Sequence, residues 1–313
     1  MSKGIKIIGT GHDAPSRIVT NEDLCKTIDS SDEWISSRTG MKIRHFSEGE
    51  SNLDLAYRAA TEAISKAGIL EQEIGIVIVS TFSGDYFVPS TACLLQARLG
   101  LPDDVLCFDL NAACSGFIFG LETVRALLCQ SDRKYALLVG SEIISPRLDM
   151  TDRGTCILFG DGAGAVVLEL SDQNLYSSIC CSRGNLSGIS CSSAESSDRK
   201  IKMDGQAIYK FAVSTVPGLI RGVLEKGGVS ADEISHYVCH QANARIIDSI
   251  TKSLKQPEEK FFRNISDYGN TSAASIPIAL SEMNDKGLLQ RGQKIVLAGF
   301  GAGLTWGAVL LEW

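Results

Sequence analysis

Short runs of apolar, often β-branched residues punctuate the chain. Longer stretches between them carry apolar positions every three to four residues. The runs are Ile5–Ile8, Ile74–Ser80, Ala136–Val139 and Ala165–Leu168, and their unbroken hydrophobicity predicts strands covered on both faces. Leu53–Gly68, Phe117–Leu128, Ile208–Glu225 and Arg245–Leu254 show the helical period. Strands alternating with helices predict an α/β layered fold.

The order of these elements repeats. ILEQEIGIVIVS, from Ile69 to Ser80, resembles VSADEISHYVCH, from Val229 to His240, and each follows a helical pattern ending in glycine. YALLVG at Tyr135 resembles KIVLAG at Lys294, and GAVVLEL at Gly164 resembles GAVLLEW at Gly307. The offsets are 160, 159 and 143, so the first half carries about sixteen extra residues between Gly140 and Gly164. The chain therefore divides into two similar halves, 1–170 and 171–313. A binding site is expected at their junction, near the carboxyl ends of the strands.

Composition removes several classes of function. Of 313 residues, 44% are hydrophobic and 21% charged, which excludes a disordered chain. A net charge of −7 disfavours a global nucleic-acid footprint. No apolar run approaches the roughly 18 residues that span a bilayer, so no membrane insertion is expected. The opening MSKGIKIIGTG reads as a first strand rather than a signal peptide. Ten cysteines without an export signal suit the reducing cytoplasm. No C-x-x-C pair occurs, so neither a zinc ribbon nor a thioredoxin-type motif is present, and most of the thiols are expected to be small buried hydrophobes.

Three residues stand where chemistry is possible. Cys114, in DLNAACSGF, falls between an apolar run and a helical pattern. A helix N-terminus favours an anion, which would lower the thiol pKa and supply a nucleophile; a buried structural cysteine is the plainer alternative. His240 ends the repeated strand and could act as acid, base or donor, or be a satisfied core histidine. His12, His45 and His236 read as structural. Asn270, in YGNTSAAS, could donate to a developing oxyanion or simply hold a turn. The repeat puts Asn270 close to the counterpart of Cys114.

Three further segments bear on function. Ser30 and Glu33 fit a capping box for a helix ending at Gly40. Trp34 and Arg38 share a face of that helix, suiting an adenine with phosphates or an ordinary packed Trp beside a solvated Arg. Gly160–Ala165 matches G-x-G-x-x-A but leads into a strand, so it is rejected as a dinucleotide site. Ala242–Lys255 has an apolar side and a basic side bearing Arg245 and Lys252; such a face is solvated or guides an acidic partner.

SDEWISSRTG, AACSGF, TDRGT with FGDGAGA, HQAN, GNTSAAS and GFGAGLTWGA together resemble the β-ketoacyl-acyl carrier protein synthase III family, initiating condensing enzymes of the thiolase superfamily. The resemblance spans nearly the whole chain. It implies a thiolase-like fold of two pseudo-symmetric halves in an αβαβα arrangement, working as a homodimer. Cys114 would take an acyl group from an acyl-CoA, and malonyl-acyl carrier protein would then lose CO₂ and condense with it. His240 and Asn270 would hold the malonyl thioester oxygen. The backbone N–H groups of Cys114 and Ala302 would form a second oxyanion hole, Ala302 departing from the usual glycine. Trp34 and Arg153 would sandwich the CoA adenine, with Arg38 near the phosphates and Asn243 on the pantetheine. Val88 and Phe300 would border the acyl site. Lys210, Arg245 and Lys252 would meet the carrier protein. No metal or redox cofactor is implied. The rivals are a starter-unit condensing enzyme or acyltransferase of specialised metabolism, a non-catalytic binding module, and an unrelated cysteine hydrolase.

Overall fold

The computed structural model describes residues 3–192 and 198–313. Its first sheet contains β1 (Gly4–Asp13), β2 (Ile74–Ser80), β3 (Leu106–Leu110), β4 (Tyr135–Glu142) and β5 (Gly162–Ser171) in the order β1-β5-β4-β2-β3. β2 runs parallel to β3 and β4, and β5 is antiparallel to β1 and β4. The second sheet contains β6 (Tyr176–Asn185), β7 (Ile234–Cys239), β8 (Lys294–Gly301) and β9 (Gly303–Glu312) in the order β7-β8-β9-β6. Here β7 and β8 are parallel, and the remaining pairs antiparallel.

Alternate residues of each strand face opposite layers, and this distributes the apolar positions among three cores. On the outside of the first sheet, Val77, Val79 and Leu137 meet Leu55, Ala59 and Ala63 of α2 (Asn52–Ala67) and Leu95 of α3 (Thr91–Arg98). Between the sheets, Ile76, Ile78, Leu297 and Val309 enclose α4 (Gly116–Leu128) and α7 (Ser275–Asp285). On the far side, Val296, Ala298 and Leu310 carry α5 (Gly205–Gly227) and α6 (Ala244–Leu254). The result is the expected αβαβα stack. α5 is long and apolar enough to cross a membrane by length and composition. An uninterrupted-run criterion misses it, but its stripe of Ala212, Val216, Ile220 and Val223 is packed on the second sheet as core.

Local chemistry sets the helix limits. Ser51 and Asp54 form a reciprocal capping box for α2, and Gly68 at φ 67° ends it. The expected box on Ser30 and Glu33 does not form. α1 (Asp32–Thr39) starts one residue later, with Ser31 accepting the Trp34 N–H at 3.1 Å; the Ser30 hydroxyl is buried without a partner. Gly40 at φ 81° does end the helix. α1 is held down through buried Arg44, which donates to Asn21 Oδ1 at 2.8 Å, while Asn21 donates to Asp32 at 2.8 Å.

Two further expectations change. Among the described residues, the second half has no strand matching β3: Phe261 makes a single bridge to Tyr237, and Ile265–Tyr268 coils into a short helix before Asn270. Only Cys114, Cys156 and Cys239 are buried; Cys93 and Cys180 are exposed and the rest half-buried. Strand edges and element ends, rather than core positions, hold most of the thiols.

Candidate active site

Cys114 sits in the turn that joins β3 to α4. Asn111 Oδ1 accepts the Ala113 N–H at 3.1 Å, Ala113 takes φ 47°, and a tight turn over Ala113–Ser115 delivers the thiol to the start of α4. Cys114 is 7% exposed. Burial pushes its pKa up to about 12; the nearby Glu142 charge adds to this and the Ser272 hydroxyl opposes it. The expected lowering by the helix terminus is thus overturned, because desolvation of a thiolate outweighs it. The resting residue is a thiol.

His240 follows β7 directly and is buried. Its Nδ1 lies 2.6 Å from Ser275 Oγ in the first turn of α7, and that oxygen also accepts the Gln241 N–H at 3.4 Å. When the Ser275 hydroxyl donates to Nδ1, the imidazole proton stands on Nε2, the tautomer that can donate into the site. Burial drives the His240 pKa down to about 3, so the ring is a neutral donor. Phe300 packs edge-on to it at 5.4 Å between ring centroids. Asn270 Oδ1 accepts the Ser272 N–H at 2.9 Å, which turns the amide NH₂ toward the same space.

Two cavities meet at Cys114. One, about 170 Å³, is lined by Cys114, His240, Asn270, Phe300 and Asn243. The other, about 130 Å³ and mostly apolar, is lined by Cys114, Ala302, Phe159, Ile189 and Ile201. The thiol therefore stands between a route in and a pocket. The turn after β8 closes on it: a Cβ at Gly301 would lie 2.8 Å from the Cys114 Cβ and 3.1 Å from Sγ. Thr305 Oγ1 ties this turn to the Cys114 turn by contacting both Ala302 O at 2.9 Å and Ala112 O at 2.8 Å.

The outer residues are less uniform. The Arg153 guanidinium lies 4.7 Å above the Trp34 ring and donates to Asp29 O at 3.0 Å. Both are exposed, as is Arg38, so a flat base entering between the pair must part them. Arg153 belongs to the extra segment of the first half, which is fastened by Asp161 accepting from Ser47, Ile144 and Ser145. Asn243 caps α6 and donates to Arg38 O at 3.2 Å, joining α6 to α1. Lys210, Arg245 and Lys252 are exposed, and Arg245 lies 5.8 Å from the Tyr209 ring at the cavity wall. Within this chain Val88 is 82% exposed beside Tyr86 and Phe87, on a cleft that Cys114 does not line.

Sequence reasoning missed Ser275, Ser272 and Glu142. Ser275 had a signal in the repeat, since it is the counterpart of Gly116. Glu142 had one too, as an acid closing the apolar run YALLVGSE.

A nucleophile supplied by one half of a duplicated α/β fold, and neutral donors by the other, is the arrangement of thiolase-fold condensing enzymes, and this chain is of that class. Residues 108–184 match the family model described as 3-oxoacyl-[acyl-carrier-protein] synthase III, and residues 224–313 its C-terminal counterpart. The β-ketoacyl-[acyl-carrier-protein] synthase III of Clostridium acetobutylicum is 46% identical, over 99% of this chain and 98% of that protein. The crystal structure of 3-oxoacyl-[acyl-carrier-protein] synthase III from Aquifex aeolicus superposes with a TM-score of 0.95 at 43% identity, covering 99% of this chain and 100% of the other. That of the Pseudomonas aeruginosa enzyme gives 0.94 at 41%, covering 99% and 98%. The chain belongs to the β-ketoacyl-acyl carrier protein synthase III family.

Proposed function

We propose that this chain initiates fatty-acid synthesis by decarboxylative condensation of a short acyl-CoA with malonyl-acyl carrier protein, giving a 3-oxoacyl-carrier product. Cys114 attacks the acyl-CoA thioester and holds the acyl group in the 130 Å³ pocket while CoA leaves. The malonyl thioester then enters by the cavity bearing His240 and Asn270. Their N–H groups receive its carbonyl oxygen as CO₂ departs and an enolate forms. A neutral histidine suits this role, since an imidazolium would hand over its proton and quench the carbanion. The enolate carbon attacks the acyl thioester, whose oxygen is received by the N–H groups of Cys114 and Ala302. This sequence needs no metal or redox cofactor. The observation that carries the reading is the one thiol shared by two cavities, with His240 and Asn270 lining only one of them.

Around this centre, Trp34 and Arg153 bracket the adenine of CoA, Arg38 faces its phosphates, and Asn243 and Phe300 flank the arm. Lys210, Arg245 and Lys252 receive the acidic carrier protein at the mouth. The half 1–170 supplies the nucleophile and the half 171–313 the donors. The exposed Tyr86, Phe87 and Val88 fit a homodimer contact, and the free thiols fit a cytoplasmic setting.

The test is intact-protein mass after mixing with acetyl-, isobutyryl- and hexanoyl-CoA. One acyl addition to the wild type and none to Cys114→Ala is expected. Addition surviving in Cys114→Ala would refute the assignment. With the small Val88 where some members of the family carry a bulky aromatic, acyl groups longer than acetyl should load; a strict acetyl preference would sink that part.

A further inference from the structure

The steps above leave one atom unaccounted for, the proton of the Cys114 thiol. His240 is a poor recipient, because its Nδ1 is engaged with Ser275 and burial disfavours the imidazolium it would become. Behind the thiol lie two groups that the condensation does not use. Glu142 closes β4 and is fully buried. Its Oε2 accepts from Thr81 Oγ1 at 3.2 Å, from the Phe82 N–H at 3.3 Å and from the Ser83 hydroxyl, while Oε1 has no hydrogen bond. Ser272 stands between this carboxyl and Cys114. Its hydroxyl is in reach of both, yet it is aligned as a hydrogen bond to neither. Its backbone is fixed at φ 51° by the Asn270 bond, which aims the side chain at the thiol. A hydroxyl on the wall of the 130 Å³ pocket and a buried carboxylate oxygen beyond it, both with unspent bonding capacity beside a nucleophile, require a reason.

We propose that Ser272 and Glu142 carry the Cys114 proton away during acyl loading, Ser272 as the contact and Glu142 as the positioned acceptor behind it. The proposal rests on the loading step argued above. As Sγ bonds to the thioester carbon, its proton passes to Ser272 Oγ and the Ser272 hydroxyl proton passes to Glu142 Oε1. The intermediate collapses with cleavage of the carbon–sulfur bond to CoA. The proton returns along the same path to the departing thiolate, so free CoA leaves as a thiol and the carboxylate is restored. Burial raises Glu142 to about 7, which keeps it basic enough to accept a proton near neutrality. Among the described residues, the titratable groups within reach of its charge are Cys114 and Cys191, beside the Phe82 N–H and the hydroxyls of Thr81, Ser83 and Ser272.

The experiment follows first-turnover CoA release from acyl-CoA across pH 5.5–9, and in the same preparations CO₂ release from malonyl-carrier. In the wild type, loading should rise through an inflection near pH 7. Glu142→Gln should slow loading by about 100-fold and erase the inflection, with decarboxylation changed by less than about threefold. Glu142→Asp should restore the inflection. Ser272→Ala, which removes only the hydroxyl, should reproduce the loading defect. Wild-type loading with its inflection intact in Glu142→Gln or in Ser272→Ala would overturn the relay. So would parallel loss of both reactions, since the relay serves loading alone. A wild type that loads no acyl-CoA at any pH would sink the functional reading first, and the relay with it.

Discussion

In the first half, Asn111 accepts the Ala113 N–H at 3.1 Å and Ala113 takes φ 47° before Cys114; in the second, Asn270 accepts the Ser272 N–H at 2.9 Å and Ser272 takes φ 51° before Ala273. The two turns are copies 159 residues apart, and each occupies left-handed backbone that a non-glycine residue adopts only under constraint. The surroundings correspond as well. Gly140 of β4 admits the backbone of Ala273, where a Cβ would lie 2.4 Å from its carbonyl oxygen, and Gly299 of β8 faces Cys114 and Ser115. The differences lie in what each copy places around the turn. Ser80 faces Gly116, whereas their counterparts His240 and Ser275 form the tautomer-setting pair. Glu142 faces Ser272, whereas its counterpart Gly301 lets the chain close on the thiol. Under the proposed mechanism, a duplicated scaffold thus assigns the nucleophile to one turn and the oxygen-binding donors to the other, keeping a close backbone approach at the thiol.

The largest expected effect comes from deleting the donor that only the second half has. His240→Ala should lower condensation by about 10³-fold while Cys114 still takes an acyl group, read as a mass increment without product. Equal loss of loading would mean the halves do not divide the work. Next comes Gly301→Ala, which gives the first turn the crowding that the second tolerates. Its Cβ would press on Cys114, and a misplacement of that kind should slow loading by about 100-fold. Thiol alkylation by iodoacetamide should fall with it. Undiminished alkylation would show that the turn yields.

Much of this comparison could be read from residue order alone. The repeat is visible because buried parallel strands demand continuous apolar runs, and the same runs recur in both halves. Cys114 and His240 stood out because His240 closes such a run and Cys114 follows one, just before a helical pattern. Other features were illegible for physical reasons. The missing counterpart of β3 reflects a segment that pairs through Phe261 alone, and a strand reduced to one bridge has no periodicity to detect. The α1 cap moved from Ser30 to Ser31 because adjacent serines offer equal hydroxyls, and only the backbone decides between them. The sign of the Cys114 shift was misread because a helix terminus can be inferred from sequence, whereas the burial that outweighs it cannot.

Ser275→Ala tests a finer difference. Without the hydroxyl on Nδ1, His240 loses its tautomer preference, and decarboxylation should fall by about tenfold with loading intact. Rescue by Ser275→Thr would support a positioning role, and an unaffected rate would show that packing by Phe300 suffices.

The smallest effect concerns stability at the position where the two halves exchange a carboxyl for a glycine. Burial raises the Glu142 pKa from 4.5 to about 7, so the folded chain keeps a proton that the unfolded chain releases in that interval. The stabilisation from the neutral form is complete below pH 4.5 and is lost as pH rises through 7. Above that, a buried carboxylate destabilises the fold by about 3 kcal/mol. Glu142→Gln removes the charge and keeps the shape. Its melting temperature should exceed that of the wild type at pH 8, and the gap should shrink toward pH 5. A gap that does not vary with pH would mean that the carboxyl titrates alike in folded and unfolded chains, and that its burial stores no strain. A gap that closes as expected would mean that the protein tolerates an unstable group beside its nucleophile. In the second half that position needs no acid, because the turn it faces holds a thiol already approached by Gly301.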